Sequence, residues 1–128
     1  MLKISVISPD RILFEGEAES IELPGSKAPF TVLKDHAPLV SHLDPGIVTI
    51  AKVDGSQRFV IEGGFAEVRN NKITALVEGA SLPEEIQVEV ETKMLNDALA
   101  EVTSDDYTAY LKELKIKNHR VRLAAVSR

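Results

Sequence analysis

The hydrophobic period of this chain changes once, at Pro83, and that switch restricts it to a two-part α+β architecture. Upstream, apolar residues follow the period of two that puts alternate side chains on one face of a strand. Leu2, Ile4 and Val6 alternate until Pro9-Asp10 interrupts them, and Ile21 and Leu23 repeat the pattern up to Pro24-Gly25. Further short runs span Phe30–Leu33, Ile47–Val53, Arg58–Ile61, Phe65–Val68 and Ile73–Val77. Asp54-Gly55 and Asn70-Asn71 separate such runs and predict tight hairpins, because these residues tolerate the positive φ that hairpin turns require. Glu15, Glu17 and Glu19 share one side of a strand and predict a wet edge. Ile21 and Leu23 follow them at the same parity, which predicts a bulge or a strand passing from solvent into the core. Many short strands with no helix pattern between them predict an antiparallel β-sandwich or barrel over residues 1–83.

Beyond Pro83 the apolar residues fall at helical spacing. Met94, Leu95, Ala98, Leu99 and Val102 form one stripe, and Tyr107, Tyr110, Leu111, Leu114, Val121 and Ala125 form another. Thr103-Ser104-Asp105-Asp106 between them supplies an N-cap and acids suited to a helix N-terminus. The prediction for residues 84–128 is a two-helix antiparallel hairpin, packed through small residues such as Ala98, Ala124 and Ala125. Charge is sorted along it. Eight acids and one base lie between Glu84 and Asp106, whereas Lys112, Lys115, Lys117, Arg120, Arg122 and Arg128 face only Glu113 in the last stretch. Mutual attraction of the helices explains this sorting; docking of the basic helix on an acidic partner surface is the second explanation.

Several function classes are excluded or disfavoured. The chain has 128 residues, enough for one core, and no cysteine, so disulfides and thiolate metal sites are impossible. A net charge of −5 argues against a general nucleic-acid binder, which needs a basic face. No apolar run approaches the roughly 20 residues of a membrane span, and Met1-Leu2-Lys3-Ile4 opens on a strand pattern instead of a leader, so membrane association is expected only through a partner. No phosphate-binding loop or nucleophile elbow occurs. His36 and His42, near Asp35 and Asp44, are the one conceivable metal or acid–base group, but their spacing matches no ligand motif. Gly63-Gly64 is explained by a bulge or turn. No catalytic residue, metal or cofactor is expected.

Four stretches in order resemble the epsilon subunit of F-type ATP synthases. They are Ser8-Pro9-Asp10-Arg11-Ile12-Leu13-Phe14-Glu15-Gly16, Ile21-Glu22-Leu23-Pro24-Gly25-Ser26, His36-Ala37-Pro38-Leu39-Val40 with Asp44-Pro45-Gly46, and Gly63-Gly64-Phe65-Ala66-Glu67-Val68. The resemblance covers nearly the whole chain. It implies a non-catalytic rotor subunit at the foot of the central stalk, touching the gamma subunit and the membrane rotor ring (c-ring) on the cytoplasmic side of a bacterial inner membrane. It also implies a hairpin that folds against the sandwich or extends towards the alpha and beta subunits, restraining ATP hydrolysis through Lys115, Lys117, Arg120 and Arg122. His36, Ala37, Pro38, Leu39, Pro45 and Gly46 become the candidate stalk and rotor-ring interface, with the prolines stiffening a loop that presents His36 and Leu39. Two departures stand out. Lys27-Ala28-Pro29-Phe30-Thr31-Val32 lacks the acid and glycine of the family's pattern, and Val90-Glu91-Thr92-Lys93-Met94 lacks the Asp and Arg of nucleotide-binding members. The competing readings are a free-standing interaction module with another partner and a small metal-dependent enzyme using His36 and His42.

Overall fold

The computed structural model describes residues 1–126; Arg128, counted above among the terminal bases, lies outside the described residues. Ten strands come first: β1 (Leu2–Ile7), β2 (Ile12–Ala18), β3 (Ser20–Leu23), β4 (Phe30–Val32), β5 (Leu39–Leu43), β6 (Gly46–Lys52), β7 (Gly55–Ile61), β8 (Gly64–Arg69), β9 (Lys72–Val77) and β10 (Ala80–Ser81). A 3-10 turn at Pro83–Glu85 leads to helices α1 (Val88–Ala100) and α2 (Asp106–Val126). The strands form two five-stranded sheets ordered β2-β1-β9-β8-β5 and β10-β7-β6-β3-β4. Their inward residues, among them Leu2, Ile4, Ile21, Leu23, Ile50, Phe59 and Ile73, merge into one apolar cluster. The β-sandwich with a following helix pair is thus the α+β fold expected. One pairing departs from the antiparallel pattern: β1 runs parallel to β9, Lys3 opposite Lys72 through Ile7 opposite Leu76.

The acidic edge is where it was expected. β2 is the outermost strand of its sheet, with Glu15 and Glu17 exposed. The chain then leaves that sheet at Ala18 and joins the other through the Glu19 N–H, which donates to Ala51 O at 2.8 Å. This passage, not a bulge in one strand, is why Ile21 and Leu23 are buried at the parity of the glutamates. The Asn70-Asn71 turn has φ of 51° and 60°, the left-handed pair that closes a two-residue hairpin. The other hairpin is displaced by one residue. Lys52 pairs with Gly55, so Val53 and Asp54 form the turn and Gly55 begins β7.

Two expectations about local structure need correction. The segment Leu39–Leu43, read as part of a loop between prolines, is a strand that pairs with β8 along its whole length. In the hairpin, Val102 lies beyond α1 and is 94% exposed, and Tyr107 and Tyr110 face solvent at 70% and 60%. The inward side of α2 is instead a mixture of Ile116, Asn118, His119, Val121, Arg122 and Ala125. The helix start was correctly placed: the Thr108 N–H donates to Asp105 Oδ1 at 2.8 Å, and this bond first of all holds the Asp105 carboxyl below its ordinary range.

Candidate functional site

Three surfaces carry the residues singled out by sequence. The first is the turn region around β5. His36 is half-buried, with Nδ1 2.8 Å from Ala37 O, while Ala37 and Pro38 are exposed. Asp35, at φ 65°, fixes the preceding turn by accepting from Asn71 Nδ2 at 3.2 Å while its N–H donates to Asn71 Oδ1 at 2.6 Å. Leu39 is not presented outward; it packs against the core, and Val40 beside it is 70% exposed. Strand pleat explains the difference, since neighbouring side chains point to opposite faces. Pro45 and Gly46 are half-buried in the joint that carries the chain from one sheet to the other. A Cβ on Gly46 would stand 2.5 Å from Pro24 Cβ, and Asp44 N–H donates to Pro24 O at 2.8 Å. Two of the quoted motifs, Leu23-Pro24-Gly25 and Asp44-Pro45-Gly46, are therefore halves of one packed corner. His36 and His42 do not converge: the His42 ring lies on Phe65, centroids 4.4 Å apart. Among the described residues no three His, Asp or Glu side chains are placed to hold a metal ion.

The second surface was not anticipated. Strand register lines up His42, Phe65, Leu76, Ile7 and Ile12 across all five strands of the first sheet, on the face away from the core. Phe65, Leu76 and Ile12 are 50%, 55% and 59% exposed. Val40 flanks the row, and a depression of about 330 Å³ opens between Val40, Phe65 and Leu76. Apolar side chains in register across a whole sheet differ from the singly scattered hydrophobes of a surface and make this face a candidate interaction surface. The outward parity of Phe65 and Leu76 was a signal available in sequence, but which strands lie side by side was not.

The third surface is the seam between hairpin and sandwich, where α2 packs on β6 and β7 of the second sheet. Of the four predicted basic residues, two point into it. Arg122 reaches Glu62 at the end of β7 and sits 3.6 Å from Glu91 of α1. Lys117 Nζ is 3.1 Å from Asp44 Oδ2. His119 Nδ1 lies 2.7 Å from Glu91 Oε2, with both side chains largely buried. The other two turn away from the sandwich: Lys115 is 3.4 Å from Glu101, and Arg120 rims an exposed groove with Leu99, Ile116 and Val121. The charge sorting therefore joins the helices only in part, because Asp44 and Glu62 of the sandwich take two of the bases. At the base of the seam Arg11 donates to Glu85 at 2.7 Å and 3.0 Å; with the Leu82 N–H, this draws the Glu85 carboxyl down to about 2.

Fold and surfaces together define a class, a β-sandwich with an appended helical hairpin that displays contact surfaces. The family model described as ATP synthase, Delta/Epsilon chain, beta-sandwich domain matches residues 1–83. The ATP synthase epsilon chain of Leptospira interrogans (strain Fiocruz L1-130) is 41% identical over 116 residues, covering 91% of each chain. The chloroplastic epsilon chain of Porphyra purpurea is 35% identical, covering 91% of this chain and 92% of that one. A chain in the Euglena gracilis mitochondrial ATP synthase structure (OSCP/F1/c-ring) superposes with a TM-score of 0.87 at 25% identity, over 98% of this chain and 81% of its own length. A chain of the Tetrahymena thermophila central stalk/c-ring structure shares the fold at TM-score 0.74 and 16% identity, covering 98% of this chain and 96% of that one. The chain belongs to the epsilon-subunit family of ATP synthases.

Proposed function

We propose that this chain is a non-catalytic subunit of the rotating central stalk, held between the gamma subunit and the c-ring, so that proton flow is coupled to ATP synthesis. It reaches the membrane through the complex, on the cytoplasmic side of a bacterial inner membrane; no helix among the described residues is long and apolar enough to cross one. The observation that carries this reading is the apolar row from His42 to Ile12, left uncovered while the hairpin occupies the opposite sheet. A flat sheet face with central aromatic and branched anchors fits a large partner, not a small ligand. That partner is the gamma subunit. The turn around His36, Ala37 and Pro38, with Val40 in place of Leu39, lies at the rim of the same sheet and completes the contact with the stalk or ring. Pro45 and Gly46 support it from the corner beneath.

Restraint of ATP hydrolysis is assigned to the hairpin. Lys115, Lys117 and Arg120 are already exposed for acidic loops of the alpha and beta subunits, though Lys117 is paired with Asp44, whereas the shielded Arg122 becomes available only when the hairpin leaves the sandwich.

The test is reconstitution. Phe65→Asp with Leu76→Asp adds charge at the centre of the apolar row without touching the core. The variant should keep its circular dichroism and thermal transition yet fail to co-purify with gamma, alpha and beta subunits. Normal assembly would move the interface elsewhere, and co-purification with an unrelated protein only would favour the free-standing interaction module.

A further inference from the structure

The hairpin meets the sandwich with few fully buried side chains and several ion pairs. The residues that α2 buries are few, Ala125 being the one below a tenth exposed. Against this small apolar contribution stand three polar links between segments distant in sequence. Arg122 of α2 pairs with Glu62 of the sandwich, Lys117 pairs with Asp44 at 3.1 Å, and Arg58 of β7 donates to the Ala125 carbonyl at 3.0 Å, at the negative end of the α2 dipole. The links differ in shielding. The Arg122 side chain is 16% exposed and Glu62 34%, whereas Lys117 and Asp44 are 48% and 43% exposed, open to screening.

Arg122 has a second role in the same place. It lies 3.6 Å from Glu91, which also holds His119, so two carboxylates from different parts of the fold converge on one guanidinium. Removing Glu62 leaves Arg122 anchored on Glu91 within the hairpin. Removing Arg122 takes the shared guanidinium from both carboxylates, leaving Glu62 without this partner and Glu91 with His119. Loss of Arg122 thus breaks the link to the sandwich and strips a guanidinium from two carboxylates at once.

We infer that Glu62–Arg122 and Asp44–Lys117 form an ionic clasp that decides whether the hairpin lies on the sandwich. The clasp also shields Arg122 and keeps Lys117 paired while it is closed, so release of the hairpin uncovers the Arg122 guanidinium and frees Lys117 from Asp44 in one event. That last consequence rests on the hydrolysis-restraint reading above; the clasp itself does not.

The chain has no cysteine, which allows a spin-label pair to be introduced without background. Val53→Cys in the β6–β7 turn and Tyr110→Cys on α2 are both exposed positions, at 78% and 60%. Pulsed dipolar spectroscopy on the full chain should give one distance population at about 20 mM salt, with a second, longer one growing towards about 500 mM as screening shortens the Debye length. The longer population should grow at low salt in the order Asp44→Asn, Glu62→Gln, Arg122→Gln, by several-fold from first to last. Glu91→Gln should not open the seam, because Arg122 keeps Glu62. Exchanging the charges, Glu62→Arg with Arg122→Glu, is less informative, since Glu91 then faces a carboxylate; Glu62→Asp is the conservative variant and should close the seam again. Sandwich integrity is read in parallel from the thermal transition. Unchanged distances in Arg122→Gln with an intact transition would overturn the clasp. Opening of the hairpin with unchanged ATP hydrolysis in the assembled enzyme would leave the clasp standing and remove the restraint reading.

Discussion

Inside the sheets, seventeen apolar side chains lie within one continuous buried cluster, whereas in the hairpin only Ala98 and Ala125 are buried among the described residues. The sandwich is specified by area removed from water, at about 25 cal/mol per Å². Two alanines bury little area, so the hairpin depends on helix propensity, the Asp105 cap of α2, half-buried apolar contacts and the charged contacts around Glu91, His119 and Arg122. A region held by burial is hard to shift without unfolding it. A region held by a few polar contacts can be released while its own helices persist.

The largest effect should come from the sandwich core. Phe59 is fully buried, and Phe59→Ala should cost about 3–5 kcal/mol, read as a lower urea midpoint. Ala98→Gly, at the most buried position of α1, should cost only about 1 kcal/mol, chiefly as lost helicity. Equal costs would dissolve the contrast between the two regions.

A chain ending near Pro83 should retain the cooperative transition of the sandwich and bind gamma, because the apolar cluster closes without any helix residue. Loss of that transition would mean that the hairpin completes the fold.

A smaller effect is expected at the hinge between them. Arg11 first, then the Leu82 N–H, lower the Glu85 carboxyl from 4.5 to about 2. The folded chain therefore binds this proton more weakly than the unfolded one, so the contribution is complete above about pH 4.5 and fades as the pH falls towards 2. The stability difference between the native chain and Glu85→Gln, followed by denaturant titration, should shrink across that window and be constant above it. A difference that is independent of pH would remove Arg11–Glu85 as the tie.

The least effect on stability is expected from Lys115→Gln with Arg120→Gln. Both are exposed, and such charges contribute about 0–1 kcal/mol each. Their effect should appear instead as faster ATP hydrolysis by the assembled enzyme, with synthesis retained and the difference shrinking as salt rises. Equal hydrolysis rates at low salt would exclude these two residues from the brake.

The contrast also explains what the sequence made legible. Period-two burial made the strands readable, because in a sandwich each inward position must be apolar; Leu2, Ile4, Val6, Ile73, Ala75 and Val77 all obey it. β5 escaped notice because it is an edge strand bounded by Pro38 and Pro45, with alternation blurred by Val40 facing out. The turn falls at Val53-Asp54, one residue before the Asp54-Gly55 signal, because Gly55, at φ 141°, uses its backbone to pair with Lys52 in the strand. In α2 the apolar stripe misled: Tyr107 and Tyr110 fit the spacing but lie beyond the part of the helix that meets the sheets. Arg122 was singled out for its charge alone. Its partner Glu62 lies sixty residues away and becomes a neighbour only when β7 is placed beneath α2. The quoted glycines had the opposite fate. Gly46 read as part of an interface and Gly64 as a bulge or turn within a quoted motif, yet an added Cβ would run into the Leu76 carbonyl at Gly64, whose φ is 148°, and into Pro24 at Gly46, so both positions serve packing.

The parallel register of β1 on β9 sets the timing of this protein's birth. β1 sits in the interior of its sheet, between β2 and β9, so its second partner is made about seventy residues after it. At translation rates of about 5–20 residues per second, Leu2, Ile4 and Val6 wait roughly 4–14 seconds with one flank unpaired. Through that interval the strands from β3 to β8 are made, while the β9 flank of β1 stays without its partner. The sheet closes only as Val77 emerges, and the hairpin follows onto a surface already built.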